Sequence, residues 1–321
     1  MTIRSTSPNG SAAKRRKRRV DSSVRIGRGQ LLRGDCLQVL SGLGSKLLSE
    51  LGGGFDLAYM DPPFNAGGER GARQEKGDRA SGELAYKDAW GGLDAFLAML
   101  EPRLVAVRDS LSPIGSLWLH LDHRAVHDAK VLSDRVFGRT SFQGEVIWVP
   151  GNGGKRRTGP SVTHQTILIF ARGREMIWNG DDPALRESHA QTSLRMHFKN
   201  VDADGRNYRD RHVAGKTYRY YADLGRRIGS VWSDCPSMRA NTPLIKEATG
   251  YPTQKPESLL MRILRAATWE NSLVLDPMHG SGTTLAAAER LSRRWLGIDQ
   301  SLLAHRTAKA RLTTLCGEVE S

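Results

Sequence analysis

The 321-residue sequence has only three cysteines, Cys36, Cys235 and Cys316, far apart and never paired as Cys-x-x-Cys. This argues against both a disulfide scaffold and a cysteine-based zinc site. Aromatic residues are scarce at 7%, and no apolar run approaches the roughly 18 residues that a membrane span needs. The first 19 residues are basic, but no apolar stretch follows them, unlike a cleaved secretory signal. Acidic residues are also in deficit, with 34 Asp+Glu against 48 Lys+Arg and a formal charge of +14. The expectation is a soluble cytoplasmic protein, nucleoid-associated if bacterial, without membrane contact and with a polyanionic partner, nucleic acid first. At 39% hydrophobic, the chain suffices for one large domain or one domain carrying an insertion.

The positive charge is unevenly spread. Six basic residues are consecutive in Lys14-Arg15-Arg16-Lys17-Arg18-Arg19, after a Ser/Gly/Asn-rich lead. Like charges this dense repel one another and bury nothing, so residues 1–27 read as a disordered basic arm. Phosphate contact, a nuclear-import signal and a solvated tail all fit that composition. Further basic clusters are Lys155-Arg156-Arg157 in a Gly-rich loop and the Arg-rich stretch 195–227.

Apolar periodicity predicts strands at 30–33, 55–60, 115–121, 145–149, 165–170, 272–275 and 295–298. It predicts helices at 36–51, 95–111, 125–137, 256–268, 283–291 and 301–315. Residues 65–85 read as a long Gly- and charge-rich loop. Strands alternating with helices imply an α/β fold, a doubly wound and mostly parallel sheet. From 171 to 250 the apolar runs shorten and Arg, His, Asn, Asp and Tyr increase, the texture of an inserted module.

Two segments share one pattern: an apolar strand, an acidic residue, then a turn. In Asp276-Pro277-Met278-His279-Gly280-Ser281-Gly282-Thr283-Thr284, the glycines admit a ligand close to the backbone. Thr283 and Thr284 are placed to cap the following helix. No Gly-Lys-Ser/Thr completes a P-loop, and the dinucleotide Gly-x-Gly-x-x-Gly is absent. The next strand ends in Asp299, whose carboxylate could bond ribose hydroxyls, so the pair suggests a nucleoside-cofactor site. The second segment, Asp61-Pro62-Pro63-Phe64, offers a carboxylate, stiffened backbone carbonyls and an aromatic face. An exocyclic base amine is a poor nucleophile because its lone pair is delocalised. Acceptors for both of its N–H groups, Asp61 and the Pro62 carbonyl, would localise that pair while Phe64 stacks on the base. A structural turn is the plain alternative. His120, Asp122 and His123 read as strand-end polarity rather than a metal site, and Cys235-Pro236 reverses the Pro-Cys order expected of a covalent nucleophile.

With both segments in view, the chain resembles the β class of S-adenosylmethionine-dependent amino-group DNA methyltransferases, which includes type II and type III modification enzymes. That family carries an Asp/Asn/Ser-Pro-Pro-aromatic motif near the N-terminus and an Asp-Pro-Phe-x-Gly-Ser-Gly-Thr-Thr motif near the C-terminus. They stand here at 61–64 and 276–284, with Met278 replacing the usual Phe. Thr253-Gln254-Lys255-Pro256 matches a further signature, Gly34-Asp35-Cys36-Leu37 resembles the family's N-terminal cofactor segment, and 112–115 matches another stretch. The resemblance covers about 28–170 and 250–315. It implies a Rossmann-like fold in permuted order, with a catalytic half at 28–170, a target-recognition insert at 171–250 and a cofactor half at 251–321.

Catalysis would then fall to Asp61, Pro62, Pro63 and Phe64. S-adenosyl-L-methionine would be held by Asp35, Cys36, Thr253, Gln254, Lys255, Asp276, Pro277, Gly280, Gly282, Thr283 and Asp299, with Lys255 orienting its carboxylate region. Lys155, Arg156 and Arg157 would clamp DNA phosphates. The resemblance further implies double-stranded DNA as substrate, a cognate restriction endonuclease and a homodimer. An acidic first residue in the catalytic motif favours adenine N6, with cytosine N4 as the alternative. A catalytically inactive nucleic-acid-binding protein, and methylation of RNA or a side-chain amide, are readings of other classes.

Overall fold

The computed structural model describes residues 20–43, 53–63, 69–71, 84–87, 91–151, 156–238 and 247–319. The basic run 14–19, Phe64, Lys155 and most of the loop expected at 65–85 lie outside the described residues. The central sheet comprises β1 (Ser22–Ile26), β2 (Gly29–Arg33), β3 (Phe55–Met60), β4 (Leu111–Leu121), β5 (Phe142–Trp148), β6 (Gln165–Ala171), β7 (Val231–Trp232), β8 (Leu273–Asp276) and β9 (Arg294–Asp299). Their spatial order is β1-β2-β9-β8-β3-β4-β6-β5-β7. The run β2-β9-β8-β3-β4 is parallel throughout. Strand β6 is antiparallel to both β4 and β5, β7 pairs parallel with β5, and β1 is antiparallel to β2.

The helices are α1 (Cys36–Leu40), α2 (Leu93–Ser110), α3 (Val126–Phe137), α4 (Gln191–His197), α5 (Glu257–Ala267), α6 (Thr283–Arg290) and α7 (Leu302–Val319). They explain why the inner strands read as continuous apolar runs: helices cover both faces, so alternate residues enter two different cores. On one side Ala58, Met60, Leu117, Leu119 and Leu275 pack with Phe96, Leu100 and Leu104 of α2 and with Leu132 of α3. On the other side Leu57, Tyr59, Trp118 and Val274 pack with Leu260 and Ile263 of α5, Leu285 of α6 and Leu312 of α7. The doubly wound, mostly parallel α/β sheet is thus present.

Several expectations need correction. The arm predicted over 1–27 contains β1, because 22–26 continues the sheet through a hairpin at Gly27 and pairs along its whole length with β2. The 65–85 loop carries a two-stranded ladder, Glu69–Gly71 with Leu84–Lys87. The helix expected over 36–51 is present at Cys36–Leu40 and gives way to a turn at 41–43, and 44–51 lie outside the described residues. The segment 171–250 is more ordered than its texture suggested. It forms a three-stranded sheet (200–201, 207–213, 216–221) and a small ladder, and it returns β7 to the edge of the main sheet. Trp148, for which the sequence leaves core and DNA contact equally open, is core: its indole N–H donates to the Cys235 carbonyl at 2.7 Å.

The two ends of the chain meet inside one sheet. Strand β9 lies between β2 and β8, in register from Trp295–Gly29 to Asp299–Arg33. Helix α6 starts from Gly282 at φ +75°, and a Cβ there would sit 2.8 Å from the Ala308 Cβ of α7. We therefore expect Gly282→Ala to lose about 2–4 kcal/mol, combining left-handed backbone strain with overpacking. Urea unfolding of the variant and the parent measures the difference.

Candidate active site

In open α/β sheets, ligands settle outside the carboxyl ends of parallel strands. Four neighbouring parallel strands here end in the segments singled out from the sequence. Gly34 and Asp35 follow β2, Asp299 closes β9, Asp276 closes β8, and Asp61-Pro62-Pro63 follows β3. Together with the 251–255 loop they line one cleft of about 450 Å³, within the size range of a small-molecule cofactor site. Asp35, Cys36, Asp61, Pro62, Pro63, Thr253, Gln254, Lys255, Asp276, Pro277, Gly280, Thr283 and Asp299 all reach its wall. Gly282 does not, lying one step behind the turn. Arg156 and Arg157 are exposed on their own loop, outside the cleft lining.

The glycine turn is tied down by Asp299. One carboxylate oxygen accepts the Gly280 N–H at 3.0 Å and the other accepts the Ser301 N–H at 2.8 Å. Gly280 takes φ +49°, and a Cβ there would lie 3.2 Å from the Tyr251 ring. The turn is therefore kept open towards the cleft by the absence of a side chain. Thr283 and Thr284 do not cap α6 as expected. Gly282 is the N-cap, with no side-chain cap bond, and the threonine hydroxyls turn inward. Thr283 meets Ser281 at 3.0 Å and accepts from Arg311 at 2.9 Å, while Thr284 bonds the Asp276 carboxylate.

Asp276 is buried, and its carboxylate accepts the Met278 N–H at 3.2 Å. Burial pushes its carboxyl up to about 7, the nearby Asp61 and Asp299 charges adding to the effect and the hydrogen bonds opposing it. Asp35 N-caps α1 through Gln38 at 3.2 Å and pairs with Arg103 at 2.6 Å. Burial raises the Cys36 thiol to about 11, so it lines the cleft as a neutral apolar group. Gln254 is occupied in shaping its own loop, accepting from Thr249 at 2.7 Å and donating to the Glu247 carbonyl at 2.7 Å.

Lys255, on the wall of the same cleft, also reaches the catalytic segment. The residue is buried, and its ammonium donates to the carboxylate of Asp61 and forms an ion pair with it. Below this pair, the Tyr59 hydroxyl meets His120 Nδ1 at 2.7 Å, and His120 Nε2 meets the Gln165 Oε1 at 2.7 Å. Since Gln165 presents an acceptor, Nε2 carries the imidazole proton and Nδ1 accepts from Tyr59. Burial raises the Tyr59 phenol, with Asp61 and Asp276 adding to it, and burial together with Lys255 lowers His120, so both are neutral. Sequence reasoning missed Tyr59, Gln165 and Arg103. Their only signal was a polar atom on an otherwise apolar strand or helix face.

The lining suits a cationic nucleoside cofactor. Carboxylates at 35, 276 and 299 match hydroxyls, amines and a sulfonium, and would repel the phosphates of a dinucleotide. Gly280 leaves room for a ligand against the backbone.

Comparisons with known proteins agree. The sequence model of the DNA methylase family, the N6/N4 methyltransferases, matches residues 55–310. Type II methyltransferase M.EcaI of Enterobacter cloacae is 28% identical, over 79% of this chain and 64% of its own length. Type II methyltransferase M1.MboII of Moraxella bovis is 26% identical, over 76% of this chain and 84% of its own. The chain thus spans a little under two thirds of M.EcaI. Among solved structures, the M1.HpyAVI–SAM complex shares the fold at TM-score 0.52 and 18% identity, covering 88% of this chain and 98% of that one. The cytosine-N4-specific PvuII DNA methyltransferase does so at 0.56 and 16%, covering 92% and 93%. With a family match across most of its length and cofactor-shaped strand ends, this chain belongs to the N6/N4 family of S-adenosylmethionine-dependent DNA methyltransferases.

Proposed function

We propose that this protein transfers a methyl group to the exocyclic N6 amine of adenine in duplex DNA. The observation that carries this reading is the convergence of Asp61-Pro62 and the cofactor turn on one cleft. S-adenosyl-L-methionine, when bound, supplies a methyl group on a sulfonium, which is its own activated leaving group. Asp276, Gly280 and Asp299 hold and orient it. The target base leaves the duplex, at an unstacking cost of about a few kcal/mol. Asp61 accepts one amine N–H and the Pro62 carbonyl the other, which localises the nitrogen lone pair for attack as the carbon–sulfur bond breaks, and Asp61 takes up the proton that the methylated nitrogen gives off. Lys255 fixes the orientation of the Asp61 carboxylate. Proximity and this polarisation provide the rate enhancement.

The acidic residue at the head of the catalytic motif supports adenine over cytosine N4. Residues 171–250 serve as the target-recognition region, and Arg156 and Arg157 contact phosphates beside it. The same reading makes a restriction endonuclease of matching specificity, and a second copy of the chain, the expected partners.

Incubation with labelled cofactor and duplex DNA, followed by nucleoside analysis, tests the function. N6-methyladenine is expected. N4-methylcytosine would overturn the choice of base, and no labelled nucleoside would overturn the enzyme.

A second outcome follows from Asp276. Its carboxyl, raised to about 7, holds a proton at pH 6 that it gives up by pH 8. A cationic cofactor favours the ionised form, so binding below pH 7 expels that proton at a cost in affinity. Cofactor affinity should rise from pH 6 to pH 8, and Asp276→Asn should flatten the dependence. Isothermal titration in buffers of different ionisation enthalpy counts the released proton.

A further inference from the structure

The hairpin in the inserted segment, Asn207–Val213 with Lys216–Tyr221, sorts its charges by face. Its turn, Ala214-Gly215, has φ of 49° and 76°, the left-handed pair that closes a tight two-residue hairpin. Residues paired across the ladder share a face, and successive pairs alternate. One face carries Tyr208–Tyr221, Asp210–Arg219 and His212–Thr217. It is internally neutralised. Arg219 pairs with Asp210 at 2.9 Å and lies 3.8 Å over the Tyr208 ring, and Thr217 meets His212 at 2.8 Å. Beside it, Arg206 stacks 3.9 Å over Tyr221 and pairs with Asp223 at 2.9 Å.

The opposite face carries Arg209–Tyr220, Arg211–Tyr218 and Val213–Lys216. It has three cations and no acid, and no carboxylate among the described residues forms an ion pair with any of the three. Arg209 is half-buried between the Phe198 and Tyr220 rings, 5.1 and 5.4 Å from their centroids, whereas Arg211 and Lys216 are exposed and are the two cations free to meet a ligand. Tyr218 and Tyr220 are 47% and 40% exposed. The hairpin's single acid, Asp210, is spent on Arg219 of its own face, so the three cations of the opposite face keep their full charge. Exposed cations interleaved with phenols complement a ladder of phosphates joined by sugars, with the phenol hydroxyls available as further donors.

We propose that this face of the hairpin lies along the sugar–phosphate backbone of duplex DNA, with Arg211 and Lys216 on phosphates, and that the Asp210–Arg219 face is its structural back. The proposal rests on the DNA methyltransferase reading above and assigns the surface by which the insert holds its substrate.

The test is equilibrium binding of a labelled duplex by the full chain over a range of salt. Each phosphate contact contributes about 0.9 to the slope of log K against log salt. Arg211→Ala with Lys216→Ala should lower that slope by about 1.8 and weaken binding on the order of tenfold or more at 0.1 M salt, leaving cofactor affinity unchanged. Asp210→Ala with Arg219→Ala, which removes equal and opposite charges from the back, should leave the slope unchanged. An unaltered slope in the first pair would overturn the proposal, as would an equal loss in the second pair with the fold intact by circular dichroism. Competition by polyglutamate as effective as by duplex would instead mark a surface for acidic proteins. If the parent protein methylates DNA and the Arg211/Lys216 variant binds it unchanged, this assignment alone fails. A parent that neither binds nor methylates DNA would remove the underlying reading as well.

Discussion

A lysine withdrawn from water needs a counter-charge, because an unpaired buried ammonium costs several kcal/mol. Lys255 finds its partner in Asp61, 194 residues away in the chain. This pair can form only when the loop before α5 and the end of β3 are both in place. It therefore couples completion of the fold to completion of the site. The remainder of the cleft follows the same logic. Asp35, Asp61, Asp276 and Asp299 occupy the ends of adjacent parallel strands, and burial raises the Asp276 carboxyl, with the Asp61 and Asp299 charges adding to it. Without Lys255 and Arg103, the carboxylates gathered here would lose the cations that offset their repulsion.

Much of the fold was legible in the sequence because burial on both faces leaves a strong mark. Segments such as 55–60 and 117–121 are almost wholly apolar, and their flanking helices keep a clear period. The acidic strand ends and the glycine turn were legible too, since few other structures need that residue order. What stayed hidden depends on partners distant in the chain. Strand β1 is short and half-exposed, so nothing local separates it from the basic arm. Thr283 and Thr284 have the residue type of helix caps, yet the left-handed Gly282 takes that place and frees their hydroxyls for Ser281, Arg311 and Asp276.

Two residues show the same limit at the site itself. Lys255 is marked by its motif, but only the packed structure shows its pairing with Asp61. Tyr59 looks like one more apolar member of β3, yet its hydroxyl begins a buried chain through His120 to Gln165 at the edge of the basic loop. The sequence-wide excess of positive charge is likewise resolved by geometry. In the cleft four aspartates face two cations, Arg103 and Lys255, that are paired with them, while unneutralised cations collect on outer surfaces such as the hairpin. The chain thus separates the chemistry of a cationic cofactor from the holding of a polyanion.

In the proposed reaction Lys255 acts through Asp61 on the reacting amine. Single-turnover methylation by Lys255→Gln, measured beside its cofactor dissociation constant, separates the two roles. The transfer rate is expected to fall by about 10–100-fold, less than the roughly 100–1,000-fold of a lost donor that itself touches the reacting atoms, with cofactor affinity nearly unchanged. Weakened cofactor binding with an unaltered transfer rate at saturation would contradict it.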